Sequence, residues 1–330
     1  CIRDRAGLAL VGAGAHMGTP VEAYRSPDGS VNTEHSRINI AANARPNNSV
    51  GVNSIVVGYQ NTTDDNEGTT ALGANNQAYG NSGLAVGNEN YANGGAATAI
   101  GAGNEARAAA TVALGNKNNA NATSAVAVGN YNNQNYTKNS TSTTPKQAGN
   151  YSTAVGSYNA ALGDNSVSVG SMNTSHVADT VTIGQNNEAK TMGGISIGKN
   201  NLTDSTNGGR NFAATADENS QIAIGRDNEA THLDTIAIGR ETKSSGSGAT
   251  VIGARAEASG DNSIAIGQSG KGSPKVIASG VNSIAIGMQS QATGEAAIAE
   301  GAGSRAGGKY GVALGRTTKA NAEAATALGN

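Results

Sequence analysis

Asn262-Ser263-Ile264-Ala265-Ile266-Gly267 returns almost unchanged as Asn282-Ser283-Ile284-Ala285-Ile286-Gly287, and looser versions recur from Asn53 to the end of the chain. The glycines that close the copies are Gly58, Gly73, Gly87, Gly101, Gly115, Gly129, Gly156, Gly170, Gly184, Gly198, Gly225, Gly239, Gly253, Gly267, Gly287, Gly301, Gly315 and Gly329. Of the 17 intervals between them, 13 are 14 residues long and the others are 15, 27, 27 and 20. A fixed period held over this length is the signature of a solenoid. It overrides the two-domain expectation that 330 residues would otherwise carry.

Phase within the period assigns the faces. With the closing glycine as position 0, positions 11 and 13 are apolar: Leu84 and Val86, Val112 and Leu114, Val126 and Val128, Val167 and Val169, Ile195 and Ile197, Ile222 and Ile224, Ile236 and Ile238, Ile264 and Ile266, Ile284 and Ile286. Position 12 between them is mostly Ala, Ser or Thr. Such alternation with β-branched enrichment predicts a strand whose positions 11 and 13 share one face. Position 5, half a coil away, is Ala or Ser almost throughout, as in Ala78, Ala106, Ser175 and Ala258. Small residues at 5 and 12 fit the interior of a thin two-stranded coil, and the Ile and Val rows then point outward.

That placement has an energetic consequence. At about 4.8 Å per strand, 18 coils would carry an external apolar stripe roughly 85 Å long. A soluble monomer tolerates far less, so the stripe requires burial against other copies of the chain in a closed cyclic assembly. Two chains or three would bury it. Glu300 alone breaks the row, taking position 13 where every other coil has Ile, Val or Leu. On an assembly axis its copies would converge and repel unless a cation, water or Arg305 compensates.

Position 3 shares the inward parity of position 5. It is Asn61, Asn76, Asn90, Asn104, Asn118, Asn132, Asn159, Asn173, Asn187, Asn201 and Asn228, followed by Thr242, Ala256, Gly270, Ser290, Ser304 and Thr318. Stacked asparagines can bond one another and the turn backbone, which predicts a structural ladder.

Composition excludes several function classes. Aromatics are 3% and charged residues 14%, net charge is −2, and Gly is 47 of 330. No basic footprint for nucleic acid is present, and no apolar run reaches the ~20 residues of a membrane helix. His16, His35, His176 and His232 lack metal-ligand spacing, so neither a metal nor a cofactor is expected, and no nucleophile has a catalytic setting. A glycan lyase on this scaffold would need clustered acids on one face, and an ice-binding solenoid flat Thr-x-Thr rows; neither is found. The single Cys1 permits no intrachain disulfide, and reads either as a lipoprotein-type acylated cysteine or as a trimmed terminus.

The repeats resemble the YadA-like head of trimeric autotransporter adhesins. The resemblance rests on the Asn-Ser-Ile-Ala-Ile-Gly words, the 14-residue period and the Ala-x-Gly half-repeats Ala258-Ser259-Gly260, Ala278-Ser279-Gly280 and Ala292-Thr293-Gly294, and it covers 50–330. It implies a left-handed parallel β-roll packed as a homotrimer through the Ile/Val faces. It also implies a Gram-negative outer-membrane location and binding to host matrix proteins (collagen, fibronectin, laminin) or to cell receptors of the CEACAM type. The family's Ser at position 3 appears here only in late coils such as Ser290 and Ser304. No neck, coiled coil or membrane barrel follows Asn330, so a head segment or an atypical member is expected, with its anchor elsewhere.

Residues 1–49 lie outside the period and are expected to cap the first coil. Leu8-Ala9-Leu10-Val11-Gly12 there reads as a degenerate repeat strand. Three insertions, at about 131–147, 199–216 and 268–277, avoid the apolar strand and mark a variable edge where binding is expected. The first carries Tyr131, Tyr136, Lys138 and Lys146, with Tyr151 and Tyr158 close along the chain; the second carries Arg210 and Phe212. Tyr and Arg anchor binding hot spots. Tyr79 at position 6 and Tyr91 at position 4 are expected on the outer face nearby. The alternative is a structural spacer whose loops contact nothing.

Overall fold

The computed structural model describes residues 15–16, 38–42, 53–63, 66–134, 148–204 and 220–329. Among them there is no helix; every element is a β-strand. The chain forms two compact units, residues 1–160 and 161–330.

In the first unit each coil contributes a long strand, such as Leu84–Asn88, Thr98–Ala102 and Val112–Asn116, and a short one, such as Tyr91–Ala92 and Glu105–Ala106. Long strands pair in parallel with long, and short with short. Each residue faces its equivalent one coil on: Leu84 opposite Thr98, Ala85 opposite Ala99, Gly87 opposite Gly101. The 27-residue coil keeps this register, since Val126 pairs with Thr153 and Gly129 with Gly156. This insertion therefore leaves the long strands stacked in register. Ahead of the counted repeats, Ile38–Ala42 stacks in parallel on Ile55–Tyr59 with Ile38 opposite Ile55 and Ala41 opposite Gly58. Ala15–His16 then pairs antiparallel with Ala41 and Ala42. The segment 8–12 lies outside the described residues.

The second unit repeats the pattern from Val167–Ser171 to Thr326–Leu328. Its long strands shorten to three residues from Ile284–Ile286 onward. In the 20-residue coil the short strand is Val276–Ala278, and Val276, not Gly270, stands opposite Ala256. Counting forward from Gly267 misplaced position 3 there, because the six extra residues enter before the strand and displace it.

Burial follows the parity in both units. Ala85, Ala99, Ala265 and Ala285 at position 12 and Ala78, Ala106, Ala258 and Ala292 at position 5 are fully buried. The core is thus two facing rows of methyl groups. Hydroxyls replace some of them: Ser168 Oγ lies 2.8 Å from Thr182 Oγ1, and Ser175 Oγ lies 3.1 Å and 3.0 Å from those two, whereas Ser196 Oγ and Thr203 Oγ1 are buried without a hydrogen-bond partner.

The corner after each long strand needs glycine. At Gly101 φ is +123°, which L side chains rarely adopt, and a methyl group there would run into the carbonyl oxygen of Gly115 in the next coil. The asparagine three residues on completes the corner. Asn104 Nδ2 donates to the Ile100 carbonyl (3.0 Å), to the Gly115 carbonyl (2.7 Å) and to Asn90 Oδ1 (3.0 Å). Asn90 Oδ1 also accepts the Asn104 backbone N–H at 3.1 Å. The same set recurs from Asn76 to Asn132 in the first unit and through Asn187, Asn201 and Asn228 in the second. The ladder ends when Thr242 donates to Asn228 Oδ1. In the last coils Ser290, Ser304 and Thr318 instead bond the glycine carbonyl of their own corner at 3.0–3.1 Å.

Candidate functional surface

Two kinds of surface remain once the interior rows are filled. One is the outer face of the long strands. The predicted interface residues Leu84, Val86, Val112, Leu114, Val126, Val128, Val167, Val169, Ile195, Ile197, Ile222, Ile224, Ile236, Ile238, Ile264, Ile266 and Ile284 are half-buried there, and Ile286 is 37% exposed. The register stacks them in columns; the position-11 column is interrupted by threonines, Thr70, Thr98 and Thr153 in the first unit and Thr250 and Thr326 in the second. Glu300 is exposed on this same face, in register between Ile286 and Leu314. Arg305 is on the short strand Arg305–Ala306, across the coil from it. Within one chain, then, Arg305 does not compensate Glu300.

The other surface comprises the outward positions of the short strands and the two turns of each coil. In the first unit it gathers aromatic and cationic side chains. Tyr79 and Tyr91 meet edge to face, with ring centroids 5.7 Å apart and planes at 81°. The Arg107 guanidinium lies 4.6 Å from the Tyr91 centroid and its Nε bonds Glu105 Oε2 at 2.8 Å. That bond raises the Arg107 pKa above its ordinary value, with partial burial opposing it. The guanidinium is therefore a fixed positive charge presented against an aromatic face.

A second cluster occupies the turn after the glycine. Tyr131 and Tyr158 stack at 5.2 Å with planes 9° apart, and Lys117 Nζ sits 5.3 Å from the Tyr131 centroid. All three occupy position 2 in the left-handed region, with φ of 50° at Lys117, 54° at Tyr131 and 56° at Tyr158. That conformation costs roughly 1 kcal/mol per residue. It is offset where each N–H reaches a carbonyl of the preceding coil: Lys117 N–H donates to Ala102, Tyr131 N–H to Asn116 and Tyr158 N–H to Asn130. A left-handed residue repeated every coil sets its side chains in a column, which is why residues 27 positions apart in sequence stack.

Tyr151 does not join them. It occupies the turn before the long strand, at the other corner of the coil, with φ of 56° and 64% exposure. Closeness along the chain suggested a shared patch, but half a coil separates the two turns. Tyr136, Lys138, Lys146, Arg210 and Phe212 lie outside the described residues. Glu105, Arg107 and Lys117 were missed from sequence, and the period was the signal that finds them: Lys117 precedes Tyr131 by 14 residues, and Glu105 follows Tyr91 by 14. The third insertion is polar. Ser269 Oγ bonds the Ser273 and Pro274 carbonyls, and Lys275 pairs with Glu257 at 3.0 Å.

Among the described residues no group of three or more His, Cys, Asp or Glu is placed to hold a metal ion, and no helix is long and apolar enough to cross a membrane. The family model described as YadA head domain repeat matches residues 49–76, 65–90, 106–132, 148–171, 222–242, 244–269, 278–304 and 306–330. No curated protein matches the chain.

Proposed function

The chain belongs to the YadA head domain repeat family, a family of adhesin-type surface proteins and not of enzymes, and from that premise we propose that it is the head of a homotrimeric outer-membrane adhesin that binds host matrix or receptor proteins through its outer strands and turns. The observation that carries this reading is the division between the two surfaces. The Ile/Val face is predominantly apolar in each unit and suited to self-association. The first unit presents Tyr79, Tyr91 and Arg107 on its short-strand face and Tyr131, Tyr158 and Lys117 in the turn after the glycine, as two preassembled clusters. Aromatic and arginine side chains held in place before binding lose little entropy on contact and carry most of the energy in protein recognition.

In this reading the apolar columns and Glu300 line the trimer interface, and residues 1–49 cap the first coil, as the stacking of Ile38–Ala42 on Ile55–Tyr59 supports. Tyr136, Lys138 and Lys146 of the first insertion and Arg210 and Phe212 of the second contribute further contacts, and Tyr151 forms a separate exposed anchor. The partners are extracellular proteins of the collagen, fibronectin, laminin or CEACAM-type receptor class.

The test is a binding panel of those four classes against the unmodified trimer and two variants, Tyr79→Ser/Tyr91→Ser and Tyr131→Ser/Tyr136→Ser/Lys138→Ser. Loss of about tenfold or more in affinity, with sedimentation unchanged, supports the adhesin reading. Unchanged binding in both variants favours the spacer.

A further inference from the structure

The second unit carries charge along both edges of its apolar face, and the two edges have opposite sign. At the trailing edge of the long strands stand Lys199, Arg226 and Arg240, all exposed, with Arg255 one residue past its own strand end. Three of these cations share two carboxylates: Arg226 pairs with Asp227 (3.3 Å) and Glu241 (3.9 Å), and Arg240 and Arg255 reach Glu241 at 4.0 Å and 3.7 Å. A net positive charge is left on that edge. At the leading edge, in the turn before the strand, stand Asp179, Asp234 and Asp261, also exposed.

The two edges cannot meet within one coil. Asp234 and Arg240 bracket the strand Ile236–Arg240, and six residues of extended chain span about 20 Å. In a ring of identical subunits, however, every interface is heterologous, so one edge of each apolar face meets the other edge of its neighbour's. The charges are not a requirement of the coil. In the first unit the corresponding trailing positions are Ala74, Asn88, Ala102, Asn116 and Asn130, and the strands stack there in the same register.

We propose that the basic edge of the second unit pairs with the acidic edge of a neighbouring copy and fixes the axial register of the chains; this deepens, and rests on, the trimer reading. The physical need is clear. Apolar columns that repeat every ~4.8 Å pack nearly as well after a slip of one whole coil, because Ile replaces Ile. Charges confined to a few coils break that degeneracy, as isolated polar residues do in coiled coils. They also distinguish the correct head-to-tail contact from like edge against like edge, which would set cation against cation.

Thiol cross-linking of the full chain tests this. In a Cys1→Ser background, Asp234→Cys/Arg240→Cys places two thiols too far apart in one chain for a short bis-maleimide. Covalent trimers are expected after treatment, at least tenfold more abundant than from Asp234→Cys paired with Lys199→Cys, two coils away. A sedimenting trimer that gives no cross-link, or cross-links equally from both pairs, overturns the proposal and leaves the trimer standing. An unmodified chain that sediments as a monomer overturns both. Charge reversal gives an independent measure. Arg226→Glu/Arg240→Glu is expected to raise the trimer dissociation midpoint on the order of tenfold, and adding Asp179→Lys/Asp234→Lys is expected to restore it. No change on reversal overturns the proposal.

Discussion

The two units share a coil and differ in what they place on it. In the first, the asparagine ladder is continuous from Asn61 to Asn159, the edges of the long strands are nearly uncharged, and tyrosines gather on the outer face. In the second, the apolar columns are richer in Ile, the ladder stops at Asn228, both edges carry charge, and the outer face holds ion pairs. The same outward positions occupied by Tyr79, Tyr91, Glu105 and Arg107 in the first unit become His176, Glu188, Lys190 and Asp204 in the second. His176 Nε2 lies 2.8 Å from Glu188 Oε1, and Lys190 reaches both Glu188 and Asp204. A roll whose interior is methyl groups and whose corners are glycine leaves its outward positions free. The outward residues of the two units can then diverge without altering the fold.

What the units share sets the largest expected effect. Gly101→Ala in the first unit and Gly239→Ala in the second each force a side chain into φ near +123° and +138° and against the next coil's carbonyl. Each is expected to cost about 3 kcal/mol, read as a fall in the urea midpoint at constant slope. Equal losses in the two units identify the corner as common; a tolerated alanine in either breaks the comparison.

Where the corners differ, the cost should differ. Asn104→Ala removes three donated bonds and the acceptor of Asn118, leaving buried groups without partners, for about 2 kcal/mol. Ser304→Ala removes one bond within its own corner, for about 1 kcal/mol or less. Equal melting shifts would show that the ladder adds nothing across coils.

On the apolar face, Glu300→Leu restores the column between Ile286 and Leu314. If three copies converge, the substitution should stabilise the trimer by about 1 kcal/mol per chain, raising its melting temperature at fixed protein concentration. An unchanged or lowered melting temperature would place Glu300 off the axis.

The smallest effect separates the outer faces by pH. The hydrogen bond from His176 holds the Glu188 carboxyl below its usual 4.5, with burial opposing and Lys190 assisting. A depressed folded value means the contribution is present above 4.5 and is lost as pH falls below it through that folded value. Glu188→Gln should therefore flatten this part of the acid limb of stability. The group is half exposed, so the change is small. An acid limb identical to that of the unmodified chain would show that the pair contributes nothing.

Parity and period made the fold legible without coordinates. Ile264 and Ile266 outward, Ala265 inward and Gly267 at the corner follow from β geometry alone, and the buried alanines have the predicted phase. The surface was less legible, because outward positions carry no periodic constraint. Tyr131 and Tyr158 were named for residue type, but their stacking depends on a left-handed turn repeated 27 residues on. Tyr151 was grouped with them by chain distance, which a coil does not preserve. Ile38–Ala42 escaped the count because Ala41 stands where the others have glycine. Val276 was displaced by counting through an insertion.

By itself the sequence determined that Asn262-Ser263-Ile264-Ala265-Ile266-Gly267 is one strand and corner of a stacked coil. Alternation and period are local properties, and side-chain size decides which face is inside. Only the tertiary structure decided which outward residues become neighbours. In a parallel stack, contact is set by register between coils, so residues 14 or 27 apart touch while residues 7 apart stand at opposite corners.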